Sequence, residues 1–71
     1  MVDKSIEMQY KINEVREKYA ALIDYEEVKL TAPNLAENKR EKLAMDIIQL
    51  EKAEVLEIER IYNRYNHAHK R

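Results

Sequence analysis

The sequence predicts an all-α fold: two long antiparallel helices forming a helical hairpin that self-associates into a helical-bundle oligomer. Three observations carry this. Glycine is absent from the 71 residues and proline occurs once, while Glu, Lys, Leu, Ala, Ile and Arg dominate, which is the composition of long helices. Apolar residues recur at steps of three and four on both sides of Pro33. Each half also carries more apolar surface than one neighbouring helix can cover.

The first helix is expected over about residues 3–31. Asp3 or Ser5 supplies an N-cap, and Glu7 suits the positive end of the helix dipole. Met8, Ile12, Val15, Tyr19 and Leu22 then form one stripe, continued by Ile23 and Leu30. A looser second face holds Tyr10, Ala21, Tyr25 and Val28.

Thr31-Ala32-Pro33-Asn34 is the break. Pro33 lacks an N–H and disfavours helical geometry at Ala32, so the turn is expected at 31–34. Asn34 followed by Glu37 has the form of a capping box, which starts the second helix at 34 and carries it to about 69. With so short a connection the helices are antiparallel neighbours, and facing positions are expected to sum to about 65. On that register Tyr10 lies near Val55, and residues beyond about 63 overhang the first helix.

The second helix has two stripes. One is Leu43, Ile47, Leu50 and Ile61, interrupted by Glu54 and Glu57; the other is Ala44, Ile48, Val55, Ile58, Tyr62 and Tyr65, interrupted by Glu51. One partner covers only one of them. The chain has no Cys, so neither a disulfide nor a thiolate metal site can supplement so small a core, and self-association is the expected source of stability. The chain's first expected partner is therefore itself.

Thirteen basic and fourteen acidic residues nearly cancel. All fourteen acids precede residue 60, whereas Arg60, Arg64, Lys70 and Arg71 form a basic C-terminal patch. By net charge, nucleic acid is not the expected partner. No apolar run reaches a membrane span, and Met1-Val2-Asp3 opens no signal peptide, so a cytoplasmic protein without membrane association is expected.

An enzyme is not expected. Ser5 and Thr31 serve as cap and loop residues, a glycine-free chain builds no phosphate-binding loop, and Glu51, Glu54, Glu57 and Glu59 read as a solvated face among Lys52 and Arg60. No catalytic residue, metal site or cofactor is assigned. His67 and His69 lie two apart, on different helix faces, and have no Glu three residues before them.

The one suggestive constellation is Arg60, Tyr62, Arg64 and Tyr65. Arg60 and Arg64 share a helix face suited to phosphates, and the tyrosines offer rings for base stacking. Antiparallel pairing brings Tyr10 and Lys11 to the same end. These six residues are the candidate ligand-binding set for a nucleotide pocket between subunits; the alternative is that the tyrosines complete the apolar stripe and the basic residues balance the helix C-terminal dipole.

Arg40-Glu41-Lys42-Leu43-Ala44, followed by Leu50-Glu51-Lys52-Ala53 and Ile61, resembles the helical hairpin of phage anti-CBASS cyclic-dinucleotide sponge proteins. The chain departs from that pattern by one extra residue between the halves and by Leu56 at an aromatic position. The resemblance implies a phage-type oligomer in the host cytoplasm that sequesters a cyclic signalling nucleotide without cleaving it, counteracting host defence. It also implies that Tyr10 stacks on a base. Two other functions fit the residues: an adaptor or inhibitor of a host protein gripping a partner helix with its spare apolar stripe, and a small nucleic-acid-binding dimer using residues 60–71.

Overall fold

In a computed structural model, which describes residues 3–67 and their side chains through 66, the chain is a two-helix hairpin. Helix α1 spans Lys4–Leu30 and helix α2 spans Glu37–His67. They pack against each other, and no strand occurs among the described residues. No helix there is long and apolar enough to cross a membrane.

Asp3 takes the N-cap of α1, in extended geometry, its carboxylate accepting from the Ser5 N–H at 3.1 Å. The other end is closed by Thr31, whose hydroxyl donates to the Val28 carbonyl at 2.7 Å. There the Thr31 and Ala32 amides donate to the carbonyls of Val28 and Lys29. The Arg40 guanidinium adds a long contact, 3.4 Å, to the Leu30 carbonyl. A cation at the negative end of a helix is favourable, so this contact pins the start of α2 to the end of α1.

Helix α2 begins three residues later than the expected capping box places it. Its first turn is closed by the Arg40 N–H on the Ala36 carbonyl, at 2.9 Å, and Asn34 belongs to the turn with Pro33. Residues 31–36 thus form a longer connection, with half-buried Leu35 packed inward.

That connection changes the register. Tyr19 and Lys18 both reach Glu57, so facing positions sum to about 76, a slip of about ten residues, or roughly three turns, from expectation. Tyr10 therefore lies level with Tyr65 rather than Val55. Met8 shares a groove with Tyr65 and Asn66, so the expected overhang beyond residue 63 is covered by the start of α1 through residue 66. The overhang falls at the opposite end, where the first turns of α2 run past Leu30. Six linker residues, at up to about 3.5 Å each, can climb that distance.

The seam is thin. Ile12 and Tyr19 are buried, while Met8, Val15, Ile23 and Leu30 of α1 and Leu43, Ile47, Leu50, Ile58, Ile61 and Tyr65 of α2 are half-buried. Leu22 swings to the flank because a strict 3.5-residue spacing drifts on a 3.6-residue helix, and Ile23 and Glu26 take its place. Cα extents of 55 × 21 × 7 Å describe a flat ribbon with no third layer. Both outer edges consequently face solvent.

Candidate functional site

The covered stripe of α2 contains acids. Glu54 and Glu57 lie one turn apart and in phase with Leu50 and Ile61, so packing that stripe on α1 brings them into the seam, where both are half-buried. This corrects the expectation of a solvated carboxylate face; only Glu51 and Glu59 remain exposed. Burying a carboxylate is costly without donors, and α1 supplies two. The Tyr19 hydroxyl donates a short hydrogen bond to Glu57 Oε2, and Lys18 Nζ donates to the same oxygen at 3.3 Å. Lys18 also lies 4.8 Å from the centre of the Tyr19 ring.

The hydrogen bond from Tyr19, then the one from Lys18, hold the Glu57 carboxyl below the ordinary glutamate value despite partial burial. Accepted by that carboxylate, the Tyr19 phenol is held above the ordinary tyrosine value, with burial adding to the effect. Glu57 thus stays ionised and engaged, as the acceptor of an interhelical clasp. The clasp was readable as the coincidence of a stripe tyrosine with stripe glutamates, but only the register pairs them.

The six candidate ligand residues separate into four places. Lys11 of α1 and Arg60 and Arg64 of α2 come together along an open groove of about 400 Å³, floored by Val15 and Ile61 and edged by Glu14 and Glu57. Tyr65 lines a different, smaller groove with Lys4, Ser5, Met8 and Asn66. Tyr10 is 68% exposed and stands two residues from both Met8 and Ile12, on the far side of α1 from α2. Tyr62 is exposed on the outer edge of α2. Within one chain, then, the three cations converge and the tyrosines do not join them.

A groove at the linker end carries three further lysines. Lys29, Lys39 and Lys42 surround Leu35 and Leu43 there, beside Glu26 and Asp46. Lys29 is already engaged, lying 3.7 Å from Glu26 and 4.3 Å from the centre of the Tyr25 ring. Among the described residues no group of three or more His, Asp or Glu side chains is placed to hold a metal. His69, Lys70 and Arg71 lie outside the described residues, as does the His67 side chain.

The outer edges carry the remaining apolar surface. On α2 these are Ile48, Val55 and Tyr62, each seven residues from the next, flanked by Met45 and Leu56. On α1 they are Tyr10, Tyr25 and Val28, with Ile6 near the N-terminus. No protein-family model, curated protein or solved structure matches this chain.

Proposed function

We propose that the chain is a non-catalytic helical interaction module, a self-associating hairpin that acts by packing its exposed outer faces against helices of another polypeptide. One observation carries this reading: among the described residues ten large apolar side chains are exposed, most of them in two stripes on opposite edges of the ribbon. Stripes of this kind at helical spacing are what helix-on-helix recognition uses. The α1 edge is the face offered to a different protein. Affinity capture with Tyr25→Glu and Val28→Glu variants tests it. The wild-type chain should retain a specific protein that both variants lose; equal retention by all three, or no retained protein, overturns the reading.

A second reading has its own observation, the convergence of Lys11, Arg60 and Arg64 on one groove. Cations from both helices suit a phosphate-bearing ligand, and the resemblance of α2 to cyclic-dinucleotide sponges supports sequestration of such a nucleotide, released unaltered. Tyr10 or Tyr62 would then serve the groove of a neighbouring subunit. A ligand bound only by the folded chain must raise its melting temperature. Cyclic dinucleotides should raise it for the wild type and not for a Lys11→Ala, Arg60→Ala, Arg64→Ala variant; no shift with the wild type removes this reading.

A further inference from the structure

We infer that the α2 edge is covered by a second copy of the chain, with the two α2 helices antiparallel and the twofold axis at Val55. The inference rests on the interaction reading above and names the occupant of one of its two faces. A compact monomer of this mass exposes about 4,700 Å², whereas this chain exposes 6019 Å². The excess, about 1,300 Å², is enough to supply the roughly 800 Å² that each partner of a stable interface buries.

The charges choose the edge and the register. Ile48, Glu51, Lys52, Val55 and Glu59 line one shallow groove along the outer face of α2. When two such faces meet antiparallel about Val55, residues equally far from it in opposite directions come level. Ile48 then packs on Tyr62 of the second copy, and the two Val55 side chains meet at the centre. Lys52 comes within one residue, about 1.5 Å along the axis, of the level of Glu59 of the second copy, while Glu51, which also comes level with that Glu59, lies on the opposite flank of the stripe. Lys52 and Glu59 lie on the same flank of the stripe, so two reciprocal Lys52 to Glu59 pairs frame the apolar centre. The α1 edge lacks this match: Glu14, Glu17 and Asp24 punctuate its stripe, with no basic residue in the stripe itself. Packing the α1 edge of one copy on the α2 edge of another is heterologous and leaves an unsatisfied face at each end.

Sedimentation equilibrium of the full chain should give twice its 8.6 kDa mass. Because the chain has no cysteine, Val55→Cys under mild oxidation should yield a disulfide-linked dimer, and Tyr25→Cys should not. Lys52→Glu should weaken dimerisation about tenfold, and adding Glu59→Lys to it should restore the original affinity. These two positions are exposed in the single chain, so the exchange leaves the α1–α2 seam intact. A helical monomer, a dimer trapped through Tyr25→Cys, or a dimer indifferent to the charge exchange overturns the inference. If the chain is monomeric and capture still fails in the Tyr25→Glu and Val28→Glu variants, the dimer is wrong and the interaction reading stands. A dimer linked through Val55→Cys, with capture unaffected by those variants, upholds the dimer and removes the α1 edge as a docking face.

Discussion

Tyr19 of α1 donates its phenolic hydrogen to the carboxylate of Glu57 on α2, and this pairing sets the register of the hairpin. Removing the hydroxyl leaves Glu57 in the seam with Lys18 as its remaining side-chain donor. Tyr19→Phe should therefore lower the melting temperature by about 5 °C while helicity at low temperature is unchanged. Thermal denaturation followed by circular dichroism reads both, and an unchanged midpoint would show that the clasp contributes nothing net.

The same pair sets a pH dependence with opposite signs at the two ends. Glu57 titrates below its ordinary value of 4.5, so its contribution is complete above that value and disappears as pH falls through the lowered one. Tyr19 titrates above its ordinary 10.0, so its contribution is complete below 10.0 and disappears as pH rises through the raised value. The pair's contribution to stability should be flat between these limits and be lost outside both. Denaturant melts across pH should show a smaller alkaline fall in Tyr19→Phe than in the wild type.

Burial separates two residues that look alike in an apolar count. Ile12 is 5% exposed against α2, whereas Tyr10 is 68% exposed. Ile12→Ala should cost about 2–3 kcal/mol through lost burial and a partly unfilled cavity. Tyr10→Ala should stay within about 0.5 kcal/mol. Urea titrations of the two variants provide the comparison; equal losses would mean that the outer face of α1 is covered in solution.

The contact of Arg40 with the Leu30 carbonyl ties the two helix ends across the linker. Arg40→Ala should cost about 0.5 kcal/mol, since the contact is long and exposed. Amide exchange should speed up at Thr31 and Ala32, whose N–H groups close α1, and stay slow around Tyr19. Uniform acceleration along the chain would show instead that the hairpin opens as one unit.

The cost of reading the register from the break alone is visible in Tyr10 and Tyr62. The sequence places both with Lys11, Arg60 and Arg64 by helical spacing and a short turn. Spacing reports which residues share a face of one helix, as Arg60 and Arg64 do; Lys11 comes opposite them only through the slipped register, because the expected one left Arg64 in the overhang. Spacing does not report which way that face points relative to the other helix. Tyr10 lies on the outer side of α1 and Tyr62 on the outer edge of α2, so the aromatic part of the proposed set is dispersed within one chain.

By itself the sequence determined the two helices, an N-cap at Asp3 or Ser5, the break at Pro33 and the excess of apolar surface, because each follows from local geometry or composition; the structure chose Asp3. Only the tertiary structure decided that α2 starts at Glu37, that the helices slip by about ten residues, and that Glu54 and Glu57 enter the seam. The physical reason is that stripes repeating every three to four residues offer apolar partners to one another at more than one register. The choice among them falls to a few directional contacts: Tyr19 and Lys18 on Glu57, and Arg40 on Leu30. These join residues up to 39 positions apart, beyond the reach of any local pattern.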